Sequence, residues 1–374
     1  MSDRNREREE EEDIFDYSYS IPGSIPGTLN IETDAVPSEI IVIEYNLEAA
    51  TYVTNVKPEE CRTCLKNDSI SWIDIRGLGS EGILQKLARI FKLHPLLLED
   101  VVNVPQRPKI EEYEDRLVII TQMVILTEKS ENGVSIEQVS LIVGTNYLIT
   151  LQEDPEDDCF QPVRDRIRHN RGMVRKKGTD YLAYALWDAI IDGYFPVLEA
   201  IGDRIEELEA KVVIEPNEKT LGQVYQIRRQ LIALRRSIWP QREAVEKLIK
   251  NRGSLINEEV IPYLKDCYDH TIQIIDAIET YRELTSNLMN VYMSAVSNKI
   301  NEIMKTIAVV STIFIPLTFI TSLYGMNFNT EISPYNMPEL NLSWGYPAFW
   351  LLTITVALSL IFFFWRRGWF NDIS

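Results

Sequence analysis

Residues 306–324 read TIAVVSTIFIPLTFITSLY, and residues 346–365 read YPAFWLLTITVALSLIFFFW. Neither stretch holds a charged residue, and each is long enough to cross a hydrocarbon layer of about 30 Å as a helix. Aromatic residues stand at their ends, as is typical of segments that meet a membrane interface. The two stretches therefore predict a membrane hairpin, with transmembrane helices over 306–324 and 346–365.

The charges that flank this hairpin are asymmetric. Arg366 and Arg367 follow the second stretch directly, whereas the connecting segment 325–345 holds two glutamates and no Lys or Arg. Because basic residues accumulate on the cytoplasmic side of a membrane, we expect both termini in the cytoplasm and the connecting segment outside. Residues 366–374 then form a short cytoplasmic tail. This is the expected topology of a multi-pass protein of a cell (inner) membrane.

Short polar and apolar side chains alternate along one face of the first stretch and the turns before it. Seven residues recur at intervals of 3, 3, 4, 4, 3 and 4 positions: Asn301, Met304, Ile307, Ser311, Ile315, Thr318 and Ser322. The average interval of 3.5 is the period of a left-handed helical bundle. Helix packing in membranes also favours Ser and Thr, so a purely structural face is the alternative interpretation.

The functional interpretation of this face is a narrow pore. Hydroxyl and amide groups can hydrogen-bond to the water shell of an ion, and the apolar rings between them can act as a gate by dewetting. Such a pore suits magnesium, which dehydrates reluctantly and usually keeps several waters. Two membrane spans are too few to enclose a path within one chain, so transport requires an oligomer in the lipid bilayer.

Upstream of the hairpin, the sequence indicates an α/β domain over residues 39–158. Five short, β-branched segments with turn residues between them are typical of strands: EIIVIEY, SISWIDIRG, RLVIITQMVILT, SIEQVSLIVGT and NYLITLQE. The segment EGILQKLARIFKL from Glu81 has the apolar spacing of a helix. Residues 1–38 begin with a dense run of charge and lack core residues. We therefore expect them to form a disordered acidic tail.

Residues 159–305 are helical in pattern. Pro240 and the Arg252–Gly253 region are expected to interrupt these helices. The stretch from residue 260 to residue 324 contains no glycine, which predicts one very long stalk helix that continues into the first membrane span.

Composition excludes several classes of function. The chain has 38 Lys and Arg against 56 Asp and Glu, a net charge of −18, and a nucleic-acid partner would require a basic surface. Neither a GxxxxGK[ST] loop nor a full GxGxxG motif is present, so no nucleotide and no ATP hydrolysis are expected. No Ser/His/Asp or Cys/His constellation is visible, which argues against an enzyme with a membrane anchor.

The cysteines and histidines form no recognisable ligand pattern. Cys61 and Cys64 make a single CxxC motif without a second Cys/His pair at a matching distance. The three histidines, His94, His169 and His270, lie far apart in the sequence. We interpret all of these residues as structural rather than as metal ligands.

One set of motifs resembles a known family. Residues 324–327 read YGMN, residues 337–340 read MPEL, and residues 345–347 read GYP, a pattern similar to that of the CorA family of magnesium (Mg²⁺/Co²⁺) transport proteins. The resemblance extends upstream through EDVVNVPQRPK, SLIVGTNYLITLQE and YDHTIQIIDAIETYRE. It covers nearly everything after the first 40 residues.

The resemblance implies a homopentameric channel whose long helices form a funnel and line a central pore. Gly325, Met326 and Asn327 then form the outer selectivity filter, and Gly325 is expected to let the backbone turn tightly over the mouth. Asn301, Met304 and Thr318 match pore-facing positions of the family, in agreement with the periodic face.

The resemblance also implies regulation by the transported ion. The acidic residues that match the family's regulatory Mg²⁺ site are Glu99, Asp100 and Asp266, which adjacent subunits would bring together. A divalent cation relieves the repulsion between such carboxylates, so bound Mg²⁺ would hold the closed state. Ordinary surface pairing with Lys or Arg is the alternative role for these residues.

Mg²⁺ influx driven by the membrane potential is thus the expected function, with Co²⁺ and Ni²⁺ as further candidate ions. Two alternatives remain open at this point. One is a zinc or other transition-metal transporter on the same scaffold, although the predicted pore face offers no Cys or His. The other is a membrane-anchored metal sensor that conducts no ion.

Overall fold

The computed structural model describes residues 25–31, 35–65, 69–113, 115–127, 133–154, 158–251, 255–329, 331–333 and 335–369. Its strands are β1 (Glu39–Tyr45), β2 (Ala50–Val53), β3 (Ile70–Arg76), β4 (Lys109–Tyr113), β5 (Arg116–Leu126), β6 (Val134–Val143) and β7 (Tyr147–Gln152). Its α-helices are α1 (Glu81–Phe91), α2 (Pro95–Val102), α3 (Gln161–Arg168), α4 (Thr179–Asp192), α5 (Tyr194–Ile214), α6 (Glu218–Asn251), α7 (Ile261–Tyr324) and α8 (Gly345–Arg366).

The chain divides into two compact units. The first, here called the α/β unit, comprises Met1–Lys211 and Asn217–Met289. The second, here called the hairpin unit, comprises Val212–Pro216 and Asn290–Ser374.

The α/β unit is built on one seven-stranded sheet in the order β2-β1-β3-β7-β6-β5-β4. β3 and β7 are parallel, and the other neighbouring strands are antiparallel. The sequence predicted five of these strands and missed β2 and β4. Both lie at the edges of the sheet, where a short exposed strand (ATYV) or a charged one (KIEEY) is common and gives no apolar pattern.

Helices cover both faces of this sheet. On one face, α1 and α2 bury Leu84, Leu87 and Phe91 with strand residues such as Ile73 and Ile149. On the other face, α4, α5 and α6 meet the sheet through buried polar groups. Tyr194 Oη donates to Gln122 O (3.0 Å), and Gln241 Nε2 donates to the same carbonyl (2.9 Å). The predicted α/β domain is therefore confirmed as a three-layer arrangement.

The prediction that Pro240 ends a helix is wrong, because α6 runs through it. Proline removes one backbone hydrogen bond and normally kinks or breaks a helix. Here Ile238 and Val245, on either side of Pro240, are buried within the unit, and Gln241 Nε2 donates to Gln122 O of the sheet (2.9 Å). The packing of these side chains thus outweighs the free-energy cost of a proline inside the helix. The helix ends at Asn251, and residues 252–254 lie outside the described residues.

The long stalk helix is confirmed. α7 has 64 residues, which corresponds to about 95 Å at 1.5 Å per residue. Its C-terminal part and α8 are both apolar enough to cross a membrane, with mean hydropathies of 2.0 and 2.2 over 18 residues. Only 6% of each window is buried within the chain. Such exposed apolar helices need lipid or further subunits to cover them.

Glu137 is an acidic residue in the sheet, 6% exposed on β6. It accepts hydrogen bonds from the backbone N–H groups of Glu153 and Asp154 (2.8 Å for Asp154). Burial, together with the nearby charges of Glu153 and Asp154, raises the pKa of Glu137 to about 8. The carboxyl group is therefore protonated in the folded protein over a wide pH range in which it ionises in the unfolded chain.

We expect Glu137→Gln to stabilise the protein at high pH. Because the folded-state pKa is raised, the wild type loses stability as pH rises from about 4.5 to about 8, by up to about 1.4 kcal/mol per unit. A glutamine keeps the acceptor oxygen and cannot ionise. Thermal unfolding at pH 5 and pH 8.5 checks this expectation: the variant should match the wild type at pH 5 and exceed it at pH 8.5. An equal difference at both pH values would contradict it.

Candidate ion path and metal-binding residues

The face predicted to line a pore lies uncovered along α7. Asn301, Thr318 and Ser322 are exposed, Ser311 is half-buried, and the apolar members keep large exposed fractions. These fractions are 59% for Met304, 55% for Ile307 and 66% for Ile315.

α8 packs on the opposite side of α7. At the C-terminal end of α7, the rings of Tyr324 and Phe349 lie 4.9 Å apart. At the other end of the hairpin, Lys305 Nζ lies 5.7 Å from the ring of Trp369, and Val309 on the same side is only 4% exposed. At 3.6 residues per turn, Val309 and Tyr324 lie about 150°, and Lys305 about 105°, around the helix from the centre of the periodic face. α8 therefore leaves that face uncovered.

The Gly-Met-Asn triplet follows the last turn of α7. Gly325 N donates to Thr321 O (2.9 Å), and Met326 and Asn327 continue as exposed, non-helical chain. The φ of Gly325 is not in the left-handed region, so its backbone conformation does not by itself require glycine. A Cβ at this position would lie 3.4 Å from Thr321 O, an ordinary contact. Glycine here leaves space at the helix end.

The connecting segment returns to α8 through a tight backbone approach. A short 3₁₀ turn, Pro338–Asn341, precedes α8, and a Cβ on Gly345 would lie 2.2 Å from Glu339 O. A side chain at position 345 is thus sterically excluded. The MPEL and GYP motifs noted in the sequence are in this way held against each other.

Glu99 and Asp100, the predicted regulatory residues on α2, have partners within their own chain. Glu99 Oε2 accepts a hydrogen bond from Gly27 N (2.6 Å), so residues 25–31 of the predicted tail are held against α2. Asp100 pairs with Lys109 Nζ at 2.7 Å. Among the described residues of one chain, these two carboxylates and Asp266 do not form a cluster with metal-ligand spacing.

A different cluster does have this spacing. Asp188 and Asp192 on α4 and His270 on α7 bring one ligand atom each to within 4.8 Å of one another. The pair Asp188 and Asp192 is one turn apart on the same helix face. His270 Nδ1 lies 2.8 Å from Asp192 Oδ1. The sequence did not predict this cluster, because 78 residues separate Asp192 from His270. The DxxxD spacing alone was the available signal.

The electrostatics of this cluster favour a cation. Asp188 Oδ1 is buried and has no hydrogen-bond partner among the described residues. Burial, together with the charges of Asp192 and Asp266, raises the pKa of Asp188 to about 6, against the opposing effect of His270. Asp266 therefore lies close enough to act on the cluster. A divalent cation would relieve the repulsion that raises this pKa.

The CxxC motif is part of the core. Cys61 and Cys64 lie in a 3₁₀ helix, Pro58–Leu65, and both are buried free thiols. Burial raises the pKa of Cys61 to about 12. Such a thiol is protonated and unreactive at neutral pH.

Comparison with known proteins connects these features. Residues 67–367 match the profile of the family described as CorA-like Mg²⁺ transporter protein. The Cobalt/magnesium transport protein CorA of Thermotoga maritima is 41% identical over 331 residues, which are 88% of this chain and 92% of that protein.

Two solved structures share the fold. The complete CorA magnesium transporter of Methanocaldococcus jannaschii aligns with a TM-score of 0.74 at 23% identity, over 88% of this chain and 98% of that one. The cytoplasmic domain of ZntB from Vibrio parahaemolyticus aligns with a TM-score of 0.55 at 14% identity, over 69% of this chain and 99% of that one. The α/β unit, the long helix and the two apolar C-terminal helices, together with the family match over 301 residues, lead to one conclusion. This chain belongs to the CorA family of magnesium transporters, which are transporters and not enzymes.

Proposed function

We propose that the chain forms a homopentameric channel for hydrated Mg²⁺, in a cell (inner) membrane with both termini in the cytoplasm. The observation that carries this proposal is the uncovered face of α7, which presents amide, thioether, alkyl and hydroxyl groups opposite the side that packs on α8. Five such faces around an axis would enclose a path with neutral oxygens for the water shell of the ion. Co²⁺ and Ni²⁺ are further candidate ions.

The membrane potential is a sufficient driving force for influx. A divalent ion gains about 4.6 kcal/mol in crossing 100 mV, twice the single-charge value. Gly325, Met326 and Asn327 would form the outer selectivity filter, with five Asn327 amides contacting the hydrated ion. The absence of Lys and Arg from the connecting segment leaves no fixed positive charge to repel a cation there.

Cytoplasmic Mg²⁺ would regulate this path by binding to the α/β units. Glu99, Asp100 and Asp266 supply carboxylates at the proposed contacts between subunits, and Asp188, Asp192 and His270 supply a second set of ligand atoms beside Asp266. Bound metal stabilises the closed state only if it binds that state more tightly than the open state, and the stabilisation equals the difference between the two binding free energies. The His270 ring gives this second set affinity for Co²⁺ as well as Mg²⁺.

Ion entry into liposomes tests the proposed function. Purified protein is reconstituted with a trapped Mg²⁺ indicator, and a potential is imposed with potassium and valinomycin. Mg²⁺ entry that increases with the potential is the expected result. If Zn²⁺ enters and Mg²⁺ does not, the protein is instead a transition-metal transporter. If no metal enters, the non-conducting sensor is the remaining alternative.

The Asp188–Asp192–His270 cluster can be tested without any flux. We expect Co²⁺ to raise the melting temperature of the full-length protein by a few degrees, because saturation at 100 times the Kd adds about 2.7 kcal/mol. His270→Gln should weaken this shift, and Asp192→Asn should nearly abolish it. His169→Gln, which changes an exposed histidine bonded to Asp165 O, is the matched control. An equal shift in all variants would exclude the cluster as a metal site.

A further inference from the structure

A groove of about 1020 Å³ opens on the α/β unit. It is bordered by the end of α1, the start of α2, the β4–β5 turn and the N-terminal residues 27–29. Its volume is that of a site for a small organic ligand. Neither the ion path nor the metal cluster uses the residues that line it.

The groove is basic, although the chain as a whole carries a net charge of −18. Arg89, Lys92 and Arg116 line it, and Asp115 is its one acidic residue within the described part of the chain. Asp115 is engaged by Arg116 through two hydrogen bonds of 2.7 Å. Arg89 and Lys92 are exposed, and neither forms an ion pair with a carboxylate among the described residues, although the charge of Lys92 also acts on Asp115. The side-chain N–H groups of Arg89 and Lys92 therefore remain available to a ligand.

The helix ends at the groove are already satisfied within the chain. Arg116 Nη1 donates to Phe91 O (2.6 Å) and Lys92 O (3.3 Å), so it covers the negative C-terminal end of α1. At the N-terminus of α2, Pro95 has no N–H and Leu96 N donates to His94 Nδ1 (3.2 Å). An anion in the groove would therefore be held by the side chains of Arg89 and Lys92.

One wall of the groove is aromatic and another is fixed backbone. The rings of His94 and Tyr113 lie 6.4 Å apart and within 28° of parallel. Next to Pro95, Gly27 has φ +87° and is held by the 2.6 Å hydrogen bond from its N–H to Glu99. A Cβ at Gly27 would lie 3.0 Å from Pro95 Cβ. The groove is thus formed before any ligand enters.

We propose that this groove binds a nucleotide, with its phosphates beside Arg89 and Lys92 and its base against the ring of Tyr113. Guanidinium and ammonium groups are the usual protein partners of phosphate. A planar base stacks favourably on an aromatic ring. The sequence predicted no nucleotide because it lacks a phosphate-loop motif, and this proposal departs from that prediction since the groove uses side chains from separate segments.

Calorimetric titration of the full-length protein in neutral detergent tests the proposal. Pyrophosphate and ADP are titrated in metal-free buffer into the wild type, the double variant Arg89→Gln/Lys92→Asn, and Tyr113→Leu. Asparagine is chosen at position 92 because this residue has φ +52°, a conformation that asparagine tolerates. Lys86→Gln is the matched control, since Lys86 lies on the same helix but pairs with Glu59 outside the groove.

We expect saturable binding of both anions, with ADP the tighter. The double variant should lose at least tenfold in affinity for both, Tyr113→Leu should lose only the preference for ADP, and Lys86→Gln should bind as the wild type does. No saturable binding, or equal binding to the double variant, would overturn the proposal. ADP binding no tighter than pyrophosphate would overturn the assignment of a nucleotide.

A lipid headgroup carries the same phosphate chemistry, so its competition is measured separately. The ADP titration is repeated in nanodiscs of phosphatidylcholine with and without phosphatidylglycerol. If the natural ligand is a free nucleotide, the affinity for ADP should be equal in the two kinds of nanodisc. A weaker apparent affinity with phosphatidylglycerol would assign the groove to the membrane surface instead and overturn the nucleotide assignment.

Discussion

Asn327→Ala is expected to lower Mg²⁺ entry at least tenfold. In the proposed filter, five amides contact the water shell of one ion, and a charge-assisted hydrogen bond contributes about 1.5–3 kcal/mol. Loss of only about 1.4 kcal/mol of binding at the pore mouth already corresponds to a factor of ten. The measurement is the initial rate of indicator response in liposomes at a fixed imposed potential and several external Mg²⁺ concentrations.

Asn329→Ala is the matched control for this variant. Asn329 lies two residues further along the same exposed segment, and its side chain accepts a hydrogen bond from Glu331 N (2.8 Å). The control should retain most of the wild-type entry, and both variants should elute as the wild-type oligomer does. Unchanged entry through a correctly assembled Asn327→Ala protein would remove Asn327 from the filter.

Asp266→Lys is expected to raise the internal Mg²⁺ concentration needed for half-inhibition at least tenfold. The substitution replaces a carboxylate beside the Asp188 cluster with a cation, which repels a divalent ion and removes one ligand. The ion path itself is unchanged, so the maximal rate of entry without internal Mg²⁺ should equal that of the wild type. The measurement is the rate of entry into liposomes loaded with graded Mg²⁺ concentrations.

Asp276→Lys separates a local effect from a general change in charge. Asp276 is exposed on the same helix, ten residues beyond Asp266, and its charge is not among those that raise the pKa of Asp188. The internal Mg²⁺ concentration that half-inhibits the Asp276→Lys variant should match that of the wild type. If both variants raised the half-inhibiting Mg²⁺ concentration equally, the sensing role of Asp266 would be rejected. The effect would then come from the overall electrostatic field of the domain.

The sequence by itself determined the elements whose signal is local. Two uncharged runs of nineteen and twenty residues predicted the membrane helices, and sixty-five residues without glycine predicted the long helix. β-branched segments predicted the five inner strands, because strands buried in a sheet are apolar along their length. The YGMN motif and the 3.5-residue period marked the candidate filter and pore face.

Other features depended on contacts that no local pattern records. α6 passes through Pro240 because side chains distant in sequence bury the helix around it, and the charged edge strand β4 exists because β5 pairs with it. The direction of the predicted pore face relative to α8 depended on how the two helices pack.

The tertiary structure alone brought His270 to Asp188 and Asp192, and Arg116 to the end of α1. Sequence patterns report the periodicity of one segment, which is why they identified helices, strands and the membrane hairpin. A ligand or metal cluster depends on the positions of separate segments in space, and those positions are fixed by the packing of the whole core.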